Sequence, residues 1–304
     1  MLTIKNITRN FGAVQAVKET SFEIEKGEIF GLLGPDGAGK TTLLRMISTL
    51  LVPDSGSITI NNLDVVKDYA ALRMIIGYMP GKFSLYTDLT IAENLKFFAT
   101  IFGTTIEANY DLIKEIYSQI EPFKDRRAGK LSGGMKQKLA LCCALIHKPE
   151  LLILDEPSTG VDPVSRKEFW DILGKLKSAG ITIVVSTPYM DEAMRCDRIA
   201  MMIHGEIIEI DTPKKIVEKY DEVLYAVKSA NMFQLLNDIR SHSDTASCFT
   251  FGEYLHVTLK PDCDYHTLKS WLEAKQYPDF EFKVTNPNIE DYFMSKMIKM
   301  EHYD

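Results

Sequence analysis

The sequence predicts an α/β core of buried parallel strands and helices, followed by a small α+β domain. Three observations predict it. Short apolar runs without polar alternation, such as Ile29-Phe30-Gly31-Leu32-Leu33, read as strands covered on both faces. A glycine-rich loop joins that run to a helical stretch. After Tyr220 the order of elements changes to strand, helix, strand, strand, helix, strand, the split βαβ or ferredoxin-like order.

In chain order, residues 2–8 and 20–24 alternate like strands, and Gly27-Glu28 turns the chain into the apolar run 29–33. A helix is expected over 40–50, a turn at Pro53-Asp54-Ser55-Gly56, and strands at 57–60 and 75–79. Helical spacing runs over 89–123, and a further helix over 132–147. Residues 151–154 and 181–185 read as buried strands with a helix near 165–178 between them; 199–203 and 206–210 read as a hairpin. The expected domains are 1–220 and 221–304. Strands in the second are placed at 224–228, 248–251, 254–259 and 280–285, and helices at 231–241, 264–276 and 288–300.

The 304 residues are 45% hydrophobic and 25% charged, a globular balance. The net charge of -7 argues against a nucleic-acid partner. Residues 221–304 hold 8 Lys and Arg against 14 Asp and Glu, a net of -6, so the tail has no affinity for anionic lipid or DNA. Five cysteines without CxxC spacing read as reduced thiols of a cytosolic protein. No run reaches the roughly 18 apolar residues of a membrane span, and Met1 leads straight into a strand pattern with no signal peptide. Any service to a membrane is therefore expected to come from docking on its inner, cytoplasmic face.

Gly34-Pro35-Asp36-Gly37-Ala38-Gly39-Lys40-Thr41-Thr42 matches the phosphate-loop pattern between a strand and a helix. Its glycines let backbone N–H groups curl around phosphates, Lys40 reaches the β and γ phosphates of ATP, and the Thr41 hydroxyl is a ligand for Mg²⁺. The helix that starts there points its positive end at the anion. Leu151-Leu152-Ile153-Leu154-Asp155-Glu156 brings two carboxylates to a strand end. Asp155 is placed to hold Mg²⁺, and Glu156 to polarise a water attacking the γ-phosphate, worth roughly 10²–10⁴-fold.

Leu131-Ser132-Gly133-Gly134-Met135-Lys136-Gln137-Lys138 is a second anion-binding device, a serine and two glycines at a helix N-terminus. One nucleotide does not need two such devices from one subunit, so this one is expected to serve a nucleotide held by another.

Phosphate loop, LSGGMKQK and LLILDEP in this order resemble the nucleotide-binding domain of ABC ATPases, over about residues 1–215. The resemblance implies a P-loop NTPase core with a helical subdomain at about 84–147, and a head-to-tail dimer. In that dimer Ser132, Gly133 and Gly134 close over the partner's ATP. It also implies adenine stacking by Phe11, a dimer-interface role for Asp162, and a transmembrane subunit contacted by the region starting at residues 83–94. The Ile289-Glu290-Asp291-Tyr292-Phe293 tail is similar to that of ABC-2-type exporter ATPases.

Two positions depart from the family. Gly81 stands where a glutamine touches Mg²⁺ and water, and Pro188 stands where a histidine holds the catalytic glutamate. Proline offers no donor and no titratable group. The expectation is a pocket that binds ATP well and turns it over slowly, in a heterodimer rather than a homodimer with a second ATPase subunit. Two alternatives stay open: a non-transport soluble ABC ATPase, and a non-hydrolysing structural subunit.

Overall fold

The computed structural model describes residues 1–301. The chain divides into two compact units, Met1–Pro213 and Lys214–Asp304. The first opens with strands β1 (Leu2–Phe11), β2 (Val14–Ile24) and β3 (Ile29–Leu33), then helix α1 (Lys40–Ile47). It continues through β4 (Ser55–Ile60), β5 (Leu63–Asp64), α2 (Tyr69–Arg73) and β6 (Ile76–Met79). Helices α3 (Ile91–Ile101), α4 (Tyr110–Tyr117) and α5 (Gly133–Leu145) pack together as a helical region. Then come β7 (Leu151–Asp155), α6 (Pro163–Ser178), β8 (Thr182–Thr187), α7 (Met190–Ala193), β9 (Arg198–Ile203) and β10 (Glu206–Asp211).

Two sheets carry this unit. One is antiparallel, in the order β2-β1-β4-β5. The other runs β10-β9-β3-β8-β7-β6 and is parallel except for the β9–β10 hairpin. Strands β3, β7 and β8 are buried along their whole length, which is why they read as unbroken apolar runs. Helix α1 lies between the sheets, its Leu43, Leu44, Met46 and Ile47 sharing one core with Leu2, Ile4, Ile58 and Ile153. Adjacent β3, β8 and β7 end at one level, with Leu33 opposite Thr187 and Asp155 opposite Ser186. The carboxyl ends of neighbouring parallel strands form a ligand crevice in open α/β sheets.

The single helical stretch expected over 89–123 is two helices. Gly103 at φ 64° turns the chain after α3, with the Gly103 N–H on the Thr100 carbonyl and the Thr104 N–H on the Ala99 carbonyl. A glycine in the left-handed region ends a helix in this way. Helix α1 also stops short of residue 50, where Thr49 takes φ 61°.

The second unit holds α8 (Pro213–Glu218), β11 (Leu224–Lys228), α9 (Met232–Ser241), β12 (Thr245–Phe251), β13 (Tyr254–Leu259), α10 (Tyr265–Ala274), β14 (Glu281–Thr285) and α11 (Ile289–Glu301). Its antiparallel sheet runs β12-β13-β11-β14, the ferredoxin-like arrangement. Leu235, Ile239, Leu268 and Leu272 of α9 and α10 cover one face, packed on Tyr225, Val227, Leu255 and Val257. On the other face, Asp291 of α11 bonds His256 of β13 at 2.6 Å. The division at Pro213 falls a few residues before the change in element order after Tyr220. Residues just past 220 are tied into the second unit: Glu222 accepts from the Ser295 hydroxyl at 3.1 Å and pairs with Lys299 at 2.9 Å.

Candidate functional site

The glycine-rich turn leaves β3 at Gly34 and enters α1 at Lys40. Two glycines are sterically required. A Cβ on Gly34 would lie 2.2 Å from the Met202 carbonyl oxygen, and one on Gly39 2.2 Å from the Ala16 carbonyl oxygen; Gly39 also has φ 105°. Gly39 is the N-cap of α1 and has no side chain to cap it, so first-turn N–H groups stay available to an anion. Asp36, Gly37, Ala38, Gly39, Lys40, Thr41 and Thr42 line a cavity of about 670 Å³, with Glu156 on its wall.

Lys40 is 3% exposed. Its ammonium donates to the carbonyls of Gly34 at 2.8 Å and Pro35 at 2.9 Å, and pairs with Glu156 Oε1 at 3.2 Å. The Thr41 hydroxyl donates to Asp155 Oδ1 at 3.0 Å. A hydroxyl and one carboxylate meeting at this distance are hard oxygen donors, and Mg²⁺ takes few protein ligands beside phosphate oxygens. Thr41 and Asp155 therefore fit that ion. Bound there, it would neutralise charge on the β and γ phosphates.

Glu156 leaves β7 with φ 48°, a left-handed backbone that costs a non-glycine residue about 1–2 kcal/mol. Its N–H is held by the Ser186 carbonyl at 3.1 Å and the Ser186 hydroxyl at 2.9 Å. Nearby, burial first and the Asp155 charge second push the Tyr78 phenol above its ordinary range.

The other expected residues lie outside this cradle. Phe11 does not line the cavity; its ring is half exposed, with the Arg9 guanidinium 4.9 Å above it. Ser132 caps α5 through a 3.4 Å bond from the Met135 N–H. Gly133 lines a separate hollow of about 200 Å³ with Gly81, Glu156 and Gly160, and a Cβ on Gly134 would touch Ser165 Oγ at 3.4 Å. Asp162 is the N-cap of α6, accepting from the Val164 and Ser165 N–H groups, and the Ser165 bond leads in holding its carboxyl low.

The two departures are visible in the geometry. Gly81 lies against the Asp155 backbone, where a Cβ would come within 3.0 Å of the carbonyl oxygen. After Pro188, the Tyr189 N–H donates to the Thr187 hydroxyl at 3.0 Å, and the Arg166 guanidinium covers the Tyr189 ring at 4.6 Å. Tyr189 is thus engaged with α6. Ala16, Lys18, His204 and Gly205 also line the main cavity, and no sequence motif marks them. They come from the start of β2 and the β9–β10 turn. The Gly205 N–H donates to the Ala38 carbonyl at 2.9 Å and the Lys18 N–H to the Gly205 carbonyl at 2.7 Å.

Known proteins resemble this chain in sequence and fold. The family model described as ABC transporter matches residues 17–159. The probable multidrug ABC transporter ATP-binding protein YbhF of Escherichia coli is 37% identical over 300 residues, covering 97% of this chain and 51% of that protein. The chain thus spans about half the length of that relative. The linearmycin resistance ATP-binding protein LnrL of Bacillus subtilis is 41% identical over 304 residues, covering 97% of each. An ATP-binding cassette solved as a dimer in a post-hydrolysis state with ADP and Pi superposes with a TM-score of 0.63 and 27% identity. It covers 70% of this chain and 98% of its own. By sequence and by fold, the chain belongs to the ATP-binding proteins of ABC transporters.

Proposed function

We propose that this chain binds ATP·Mg²⁺ and hydrolyses it as one half of a head-to-tail ATPase pair that drives a membrane subunit, an exporter of the ABC-2 type. One observation carries the reading: Lys40, Thr41 and Glu156 line one cavity with Asp155 bonded to the Thr41 hydroxyl, while Ser132 lies outside it as the N-cap of α5. Lys40 and the α1 N–H groups hold the phosphates, Asp155 and Thr41 hold the metal, and Glu156 takes the proton of the attacking water. Ser132, Gly133 and Gly134 then complete the partner's pocket, and Phe11 stacks on adenine from the rim.

The membrane partner has a place to dock. Leu50, Met74, Leu85, Phe98, Ile101 and Phe102 line a mainly apolar groove of about 610 Å³ beside the helical region. Among the described residues no helix is long and apolar enough to cross a membrane. A cytoplasmic position on the inner face, attached through that groove, accounts for both facts. The names of the relatives, multidrug transport and linearmycin resistance, favour export.

The chain's own pocket is the slower of the pair. Gly81 and Pro188 supply no side chain to the water or to Glu156, Tyr189 is engaged with Arg166, and misplacement of catalytic groups is expensive, on the order of 10²-fold. The partner is therefore a second, non-identical ATPase subunit. The test is steady-state ATPase of this chain alone and of the complex purified from detergent-solubilised membranes. Alone it should be weak, and in the complex Ser132→Arg should cost more turnover than Glu156→Gln. A fast homodimer, or a complex that tolerates Ser132→Arg and stops with Glu156→Gln, reverses the assignment.

A further inference from the structure

Strand β8 ends in two hydroxyl residues, Ser186 and Thr187, whose side chains are both committed, and Pro188 follows. Thr187 donates its hydroxyl to Glu192 Oε2 at 2.6 Å. Pro188 has nothing to donate. Ser186 is fully buried, and its hydroxyl faces the carboxylates of β7. It donates to Asp155 Oδ1 at 2.8 Å and accepts the Glu156 N–H at 2.9 Å, while the Ser186 carbonyl accepts that same N–H at 3.1 Å. One hydroxyl therefore joins the side chain of the metal-side carboxylate to the backbone of the general base.

We propose that Ser186 is a positioning residue for ATP hydrolysis in this chain; the inference rests on the ATPase reading above. Its hydrogen bond turns Asp155 Oδ1 toward the Thr41 hydroxyl, 3.0 Å away. Its lone pair holds the left-handed backbone that aims Glu156, at φ 48°, into the cavity. Alanine would remove both hydroxyl bonds at once, leave a buried carboxylate oxygen with one donor fewer, and leave the strained Glu156 backbone held by the residue 186 carbonyl alone. In a site where Gly81 and Pro188 contribute no side-chain hydrogen bond, this hydroxyl restrains the backbone that carries the catalytic carboxylate, beside the Lys40 ion pair on the carboxylate itself. It acts from the strand behind it rather than from the cavity.

The experiment compares Ser186→Ala, Ser186→Thr and Glu156→Gln in the full chain. Single-turnover hydrolysis of ATP registers a slow site and separates maximal rate from half-saturating ATP. Binding of Mn²⁺·ADP, followed by electron paramagnetic resonance, reports Asp155 without any reaction. Ser186→Ala should lower the maximal rate roughly ten-fold with half-saturation little changed, and weaken Mn²⁺ several-fold. Ser186→Thr, which keeps the hydroxyl, should restore most of both. If Ser186→Ala keeps the parent rate and Mn²⁺ affinity while Glu156→Gln stops turnover, the positioning role is wrong and the ATPase reading stands. A Glu156→Gln chain as fast as the parent would instead remove the ATPase reading itself. Should Ser186→Ala not fold, Ser186→Cys serves, because its weak S–H donor predicts a loss between the parent and Glu156→Gln, and parent-level values overturn the proposal.

Discussion

The first unit contains two glycine-bearing helix N-termini, and they are enclosed to very different degrees. The turn at 34–42 is enclosed by its own chain: Lys40 is buried, its ammonium has three oxygen neighbours, and the β9–β10 turn clamps it through Gly205. The turn at Ser132 is exposed and closed by one long bond of 3.4 Å. Both sequences are rich in small residues, so local chemistry does not separate them. The difference lies in what surrounds each. A turn at the end of a central parallel strand inherits walls from its neighbours, while a turn at the tip of a helical region has solvent on one side. The enclosed turn has its walls within the chain, and the open one is the turn proposed above to serve another subunit's nucleotide.

The contrast makes its largest prediction in nucleotide affinity. Lys40→Ala should weaken ATP·Mg²⁺ binding by the single chain about a hundred-fold in calorimetry, the loss of two charge-assisted bonds at about 1.4 kcal/mol each. Ser132→Arg should leave the same measurement within about two-fold. Equal losses in the two variants would break the comparison.

A second prediction concerns the loop ahead of α3. Asn94 is fully buried in α3. Its amide donates to the carbonyls of Tyr86 and Thr90 and accepts the Tyr86 N–H at 3.1 Å, fixing the loop ahead of α3. Asn94→Ala takes the acceptor from the Tyr86 N–H, while the Thr90 and Tyr86 carbonyls keep the Asn94 and Leu89 N–H groups, so urea unfolding should show a loss of about 1–3 kcal/mol. A loss under about 1 kcal/mol would mean that water replaces the amide and that the loop is not held in this way.

The smallest effect is a pH dependence just past the C-terminal end of α5. His147, just past α5, stacks on Phe102 at 3.8 Å and meets the Ile76 carbonyl through Nε2 at 3.0 Å. Burial, the larger influence, pulls its pKa below the ordinary 6.5, and the Ile76 bond opposes this in part. Below 6.5 the unfolded chain binds the proton more readily than the folded one, so stability is lost as pH falls from 6.5 toward the lower folded value. It is fully present above 6.5. Thermal unfolding followed from about pH 7.5 to about pH 5.5 should show this slope in the parent and a shallower one in His147→Phe. Identical slopes would remove His147 as the source.

Much of the molecule is legible in the residues alone. The phosphate loop, the Asp155-Glu156 pair and the buried strands announce themselves because each is a local requirement. Glycine must stand where a Cβ would lie 2.2 Å from a carbonyl oxygen of another stretch of the backbone, and a strand covered on both faces must be apolar. The order of elements after residue 220 likewise implies the β12-β13-β11-β14 sheet, since split βαβ connections leave few other arrangements. Tertiary structure alone decided the rest. Ser186 reads as one more strand residue until β7 and β8 align it with Asp155. Ala16, Lys18 and His204 reach the cavity only because β2 and the β9–β10 turn fold over the loop. Tyr189 is spent on Arg166, a partner on another helix that no spacing along the chain could reveal. Motifs record what a residue needs from its immediate neighbours. A hydrogen bond or stacked ring between residues far apart in sequence exists only once the sheet has set its register.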